Sequence, residues 1–212
     1  MIKVCIASNN KNKIKQFGEI LSGQDLDAHV ITASDMMMKE FPPEDGITFY
    51  GNSLIKAKAL YEHILKTNGK CDCYVVADDS GICVDALGGG PGVHSARFSG
   101  EHATDAENNK LLLEKLRGVE NRAAHYMCVI TVITPESSIM CCGGRADGEI
   151  IDDPRGTDGF GYDPYFYFAR FGKTFAQLSS DERNSVSHRG QALRKAAGLI
   201  KDDIAKQKQK AL

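Results

Sequence analysis

The apolar positions of this chain fall into short β-like runs separated by helical stretches. Ile2 to Ala7 is rich in β-branched residues and predicts a first strand. The polar run Ser8-Asn9-Asn10-Lys11-Asn12-Lys13 follows, and Ile14, Phe17 and Leu21, three and four apart, then predict a helix. Ala28 to Thr32 reads as a second strand, and residues 34–46 as a loop broken by Pro42-Pro43 and Gly46. Thr48 to Leu65 predicts a long helix with Phe49, Ala57, Leu60, Tyr61 and Ile64 along one side. Asn52 and Lys56, four apart, share another face, turned to a site or to water.

The run Tyr74-Val75-Val76-Ala77 predicts a buried strand that stops at Asp78-Asp79-Ser80-Gly81, with Gly81 as a turn. Ile82 to Leu87 reads as a separate short strand, and Gly88-Gly89-Gly90-Pro91-Gly92 is too flexible for regular structure. Thr104-Asp105-Ala106-Glu107 has the form of a capping box and opens a helix carrying Leu111, Leu112 and Leu116, stopped by Gly118, which reads as structural. Ala123 to Thr134 alternates through Tyr126, Cys128, Ile130 and Val132 as a long strand. Ser137 to Gly143 is expected to return antiparallel to it, forming an extended ribbon and a second lobe. A terminal helix carries Leu193, Ala197, Ile200 and Ile204, and residues 206–212 read as a frayed tail.

Length and charge narrow the classes. A chain of 212 residues suits one large domain or two closely joined lobes. The 26 Lys and Arg against 28 Asp and Glu give a net charge of −2, so no global basic field points to nucleic acid or an anionic membrane. Any anion site must be built locally. No apolar run is long enough to span a bilayer, and the start Met1 to Ala7 is too short for a signal peptide, so a cytoplasmic location is expected. The seven cysteines include no Cys-x-x-Cys pair and read as reduced, mostly buried thiols.

Four stretches carry candidate chemistry. Asp78 and Asp79 repel each other unless a cation or a turn compensates, which leaves a divalent metal site and a simple Asx-turn both open. The polar run before the first helix, with Lys13, suits phosphate at a helix N-terminus or is an ordinary cap. Phe160-Gly161-Tyr162-Asp163 places two aromatics around a glycine, to stack on a planar ligand or to pack in the core. Arg183, His188 and Arg189 gather at a helix start, where cations oppose the dipole unless an anion arrives. No Walker loop, Gly-x-Ser-x-Gly elbow or Gly-x-Gly-x-x-Gly fingerprint occurs. Anion sites, an acidic pair and an aromatic loop together point to a nucleotide, and to metal-assisted hydrolysis of a phosphoanhydride by water.

Five motifs stand in order: Ser8-x-Asn10-x-x-Lys13, Ala77-Asp78-Asp79-Ser80-Gly81, Pro91-Gly92-x-x-Ser95-Ala96-Arg97, Gly159-Phe160-Gly161-Tyr162-Asp163-Pro164 and Ser187-His188-Arg189-Gly190. Together they resemble the inosine triphosphate pyrophosphatase family, which hydrolyses non-standard purine nucleoside triphosphates to monophosphate and pyrophosphate. The resemblance implies an α/β fold, an elongated mixed β-sheet with two lobes and a cleft between them, within a single domain over residues 1–212. It implies Mg²⁺, a homodimer, and ITP, dITP and XTP as substrates. By the same resemblance Asp79 binds metal and accepts a proton from the attacking water, and Glu44 and Asp78 are further metal ligands. Ser8, Asn9, Asn10, Lys11, Asn12 and Lys13 hold the triphosphate, and Lys56 and Ser80 also bind substrate. Phe160, Gly161, Tyr162 and Asp163 hold the base, His188 and Arg189 read its edge, and Arg183 contacts base or phosphate. Pro43 stands where many relatives carry a first acid before Glu44, and Arg183 where many carry Lys. Two other readings are a Maf-type pyrophosphatase for modified pyrimidine nucleotides and a non-catalytic nucleotide-binding protein.

Overall fold

Strand β1 (Ile2–Ile6) pairs in parallel with β2 (Ala28–Thr32) on one side and with β3 (Tyr74–Val84) on the other. Parallel neighbours need a crossover. Helix α1 (Lys11–Ser22) supplies it between β1 and β2, and α2 (Phe49–Asn68) lies between β2 and β3 in the chain. Then follow α3 (Asp105–Lys115), β4 (Ala123–Ile133), β5 (Ile139–Ile150), β6 (Phe166–Phe168), β7 (Lys173–Thr174), α4 (Ser180–Val186) and α5 (His188–Lys210). The seven strands make one mixed sheet in the order β2-β1-β3-β4-β5-β6-β7. This computed structural model describes residues 1–24 and 26–210.

Local chemistry sets the helix ends. Asn10 caps α1, its side chain accepting from the N–H groups of Asn12 and Lys13. Thr48 caps α2, which ends at Gly69 in the left-handed region at φ 74°. Thr104 and Glu107 close a reciprocal capping box on α3, as the sequence pattern predicts. Ser179 and Glu182 close another on α4.

The chain divides into two units, and the division falls within β3, β4, β5 and α5. The first comprises Met1–Asp79, Val129–Gly143 and the chain from Gly190. Its core packs Cys5, Ala7, Ala57, Leu60, Ile64, Val75 and Ala77, all at most 1 % exposed. The second comprises Ser80–Cys128 and Gly144–Arg189. Its core packs Ile82, Val84, Leu112, Leu116, Phe166 and Leu178 around Tyr126 and Phe175. The cysteines are free thiols, five of them buried, with Cys141 exposed and Cys142 intermediate. No helix among the described residues is long and apolar enough to cross a membrane.

Four expectations are corrected. β3 does not stop at Asp78: it runs unbroken through Asp79, Ser80 and Gly81 to Val84, so the expected turn and separate strand are one strand. The return strand expected at residues 137–143 extends to Ile150, and it is antiparallel because adjacent strands joined only by residues 134–138 leave no room for a crossover. Arg183 lies in the last turn of α4 rather than at a helix start, where its charge suits the dipole. The run 206–210, expected to fray, is helical; residues 211–212 lie outside the described residues.

Gly81 shows why a glycine misled the turn reading. It is buried in β3, and its φ is not in the left-handed region. A Cβ there would collide with the backbone oxygen of Gly92 and with Ser95 Oγ. Glycine at this position serves a close approach of two segments rather than a bend. Gly81→Ala is therefore expected to destabilise the protein by about 1–3 kcal/mol in urea unfolding, because backbone cannot yield as a flexible side-chain tip does. A change within about 0.5 kcal/mol, typical of an exposed site, would contradict this.

Candidate active site

In the first unit the chemistry gathers on β3. Consecutive strand residues point to opposite faces, so Asp78 and Asp79 face apart although adjacent in sequence. Asp78, 1 % exposed, forms an ion pair with Lys13, Nζ to Oδ2 2.9 Å. Lys13 is placed for this by the Asn10 cap, which fixes the first turn of α1. Ser8, Asn9, Asn10, Lys11 and Asn12 form the polar surface leading into that turn. Asn10 N–H donates to Ser8 Oγ, and Asn9 Nδ2 donates to Lys39 O.

Asp79, 6 % exposed, meets the polar face of α2. Asn52 Nδ2 donates to Asp79 Oδ2 at 3.0 Å, and Lys56 Nζ lies 3.9 Å from Asp79 Oδ1. The same Lys56 pairs with Glu44 Oε2 at 3.0 Å. Asn52 is wholly buried, and its Oδ1 accepts from Gly46 N–H, which fixes the loop that carries Glu44. Burial pushes the Asp79 carboxyl up to about 6, against the pull of Lys56 and the Asn52 hydrogen bond, while Glu44 adds repulsion. Two carboxylates thus share one ammonium. Asn52 was legible only as a helix-face neighbour of Lys56; nothing in the sequence marks its reach to Asp79.

In the second unit a buried carboxylate organises an aromatic loop. Asp163, 7 % exposed, accepts from Tyr126 Oη at 3.0 Å and from Phe160 N–H at 3.2 Å. Tyr126 in turn stacks on the His188 ring, 4.6 Å between centroids. Tyr162 is buried, and its Oη donates to Ser95 O at 2.7 Å, so this aromatic holds the loop rather than standing open. Phe160 differs: it is 38 % exposed, with the Arg189 guanidinium 5.7 Å from its ring centroid. Arg189, 3 % exposed, donates from Nη2 to Ser80 Oγ at 2.7 Å. Arg183 Nη1 donates to Phe175 O at 3.4 Å. The structure therefore brings Ser80, Phe160, Asp163, His188 and Arg189 into one connected set. Tyr126, the link between Asp163 and His188, is hidden in the sequence as one more inward position of a strand.

Burial drives the Asp163 carboxyl up to about 6 from 3.8, although Phe160 N–H, Tyr126, Arg183 and Arg189 all favour its charged form. The folded protein thus keeps a proton that the unfolded chain releases between these values. The stability this group contributes is present below about pH 4 and is lost as pH rises through about 6, a change of about 3 kcal/mol. Asp163→Asn removes the titration. The variant's stability relative to the parent should rise from pH 4 to pH 7 in urea unfolding, its constant offset cancelling in the comparison. Parallel curves would contradict the assignment.

The Ham1 family pattern matches residues 4–199. A dITP/XTP pyrophosphatase of Clostridium perfringens is 41 % identical over 206 residues, covering 96 % of this chain and 98 % of the relative. One of Desulfotalea psychrophila is 46 % identical over 195 residues, 90 % of this chain and 81 % of the relative. Among solved structures, a HAM1 protein from Coxiella burnetii superposes with a TM-score of 0.83 at 35 % identity, covering 95 % of this chain and all of that one. The Staphylococcus aureus Ham1 protein gives 0.82 at 38 % identity, covering 95 % and 99 %. Matched from Val4 to Leu199, with both connected sets of residues inside the matched stretch, the chain belongs to the Ham1 family.

Proposed function

We propose that this protein is a nucleoside triphosphate pyrophosphatase acting on ITP, dITP and XTP, releasing the monophosphate and pyrophosphate. The observation that carries the reading is Asp79: a desolvated carboxylate with its basicity raised to about 6, held between Asn52 and Lys56. A base of this strength is mostly ionised near neutrality yet able to take a proton. The relatives' names, dITP/XTP pyrophosphatase, agree with it.

In this mechanism Asp79 accepts the proton of a water that attacks the α-phosphorus. Lys13, Lys56 and the α1 N-terminus, with Ser8 to Asn12, bind the triphosphate oxygens; the positive end of a helix dipole and the charges of the two lysines are what such an anion requires. Residues of the second unit take the base. The exposed face of Phe160 stacks on it, and Arg189 and His188 contact its edge, with Arg183 as a further cation. Arginine only donates. A 6-oxo purine offers acceptors at O6 and N7, whereas the 6-amino group of adenine sets donor against donor, a mismatch that can discriminate by about 10⁴-fold.

Glu44 and Asp79 fit a divalent cation. Among the described residues no group of three or more His, Cys, Asp or Glu forms a ready cage. Mg²⁺, however, is commonly held by one or two carboxylates together with substrate phosphates. Hard oxygen donors, with two carboxylates on a single Lys56, suit it. Bound there, it would offset the charge of the phosphates and of the departing pyrophosphate. Asp78, committed to Lys13 on the other face of the strand, is the weaker ligand. The working form proposed from the family resemblance is a homodimer, read by sedimentation.

Asp79→Asn should lower kcat for ITP by about 10²–10⁴-fold while leaving the unfolding midpoint close to the parent's. Near-normal pyrophosphate release with Mg²⁺ present would exclude Asp79 as the base. A parent enzyme that prefers UTP, dUTP or 5-methyl-UTP to ITP and XTP would instead favour the Maf-type reading. Arg189→Gln, which can accept as well as donate, should reduce kcat/KM for ITP at least tenfold and narrow the ITP-to-ATP ratio. An unchanged ratio would remove Arg189 from base selection.

A further inference from the structure

Helix α3 reads from sequence as structural, yet two adjacent asparagines in its middle, Asn108 and Asn109, are only 2 % and 7 % exposed. Asparagine is a poor residue for a helix interior, because its side chain competes for backbone groups. Here each amide reaches out of the helix. Asn108 Oδ1 accepts from Ser99 N–H and Oγ, and its Nδ2 donates to Ala96 O, which ties α3 to the segment that receives the Tyr162 hydroxyl. Asn109 Nδ2 donates to Gly161 O at 2.9 Å and to Asp105 O at 2.8 Å. Two carbonyl oxygens at one side-chain atom fix which end of the amide is the nitrogen. Asn109 Oδ1 is buried and has no hydrogen-bond partner among the described residues. One turn earlier, Asp105 Oδ2 accepts from Gly161 N–H at 2.7 Å.

Both backbone groups of a single residue are therefore held by two side chains of α3. Gly161 needs such holding: its φ is 64°, in the region that favours glycine, and glycine is the most mobile residue when unrestrained. On either side of it, Phe160 N–H is bound to Asp163 and the Tyr162 hydroxyl to Ser95. The loop is thus anchored at Phe160, Gly161 and Tyr162 by groups of the protein, and the Phe160 ring is left exposed as the loop's open face.

We propose that Asp105 and Asn109 are positioning residues for base recognition: they clamp Gly161 so that Phe160 presents its ring to the purine. The proposal rests on the function proposed above and adds to it residues that touch neither base nor phosphate. Released from the clamp, Gly161 samples other conformations, and the base loses a preorganised stacking surface while the triphosphate contacts of the first unit persist. The loss should appear as weaker binding of base-bearing substrates, not as a slower chemical step.

The experiment uses the full chain with Asn109→Ala, Asp105→Ala and Asp105→Asn. The alanine variants should raise KM for ITP about tenfold with kcat within about twofold, and should leave the inhibition constant of inorganic tripolyphosphate unchanged. Asp105→Asn keeps an acceptor for the Gly161 amide and should restore most of the lost affinity. Hydrogen exchange at residues 160–163 should accelerate in both alanine variants while exchange in β1 and β3 stays at the parent's rate. Faster loop exchange with unchanged KM would overturn the role in base recognition, and so would equal losses for ITP and tripolyphosphate. If the parent hydrolyses no purine triphosphate, the function reading fails by itself, and unchanged exchange at residues 160–163 would then separately overturn the clamp.

Discussion

The burial of a carboxylate in the middle of a strand is the constraint on which the rest depends. An ionised group removed from water costs several kcal/mol unless charges and hydrogen bonds compensate. Asp79 sits in β3 with only 6 % of its surface exposed, so its surroundings must supply both. They do so from one face of α2, where Asn52 and Lys56 are one helical turn apart and reach the two carboxylate oxygens. The compensation is incomplete, because Lys56 also serves Glu44, and the residual cost emerges as raised basicity. That residue of unfavourable energy is what would suit Asp79 to the proposed role of proton acceptor.

The second unit repeats the device for a different end. Asp163 is buried, raised in the same direction for the same reason, and surrounded by Tyr126, Phe160 N–H and two arginines. Its work is to hold a loop. The carboxylate fixes Phe160 from below, Tyr162 is drawn into the core by Ser95, and the ring of Phe160 stays at the surface beside Arg189. In both units a desolvated acid organises polar partners that a solvated one would leave free to move.

The sequence showed the outline of this and missed its logic in identifiable places. The hydrophobic periods located β1, β2, α1, α2, α3 and β4 to within a few residues, because each buries one periodic face. The acidic pair, the aromatic loop and the Ser187-His188-Arg189 run were visible as motifs. Gly81 was misread, since a glycine needed for close approach to Gly92 and Ser95 looks in sequence like one needed for a turn. Asp78 and Asp79 looked like a shared site until the unbroken strand sent them to opposite faces. The partner of Asn52, and any site role for Tyr126, Asp105 and Asn109, were illegible: each acts on a residue more than 25 positions away, and no local pattern records such a pairing.

The most direct measurement of the central claim is the fate of solvent oxygen. Hydrolysis of ITP in ¹⁸O-water, followed by mass analysis of both products, shows which phosphorus the water attacks. If Asp79 deprotonates a water aimed at the α-phosphorus, a single turnover places the label in the inosine monophosphate and leaves the pyrophosphate unlabelled. Label in the pyrophosphate, or release of inorganic phosphate in its place, would contradict the account.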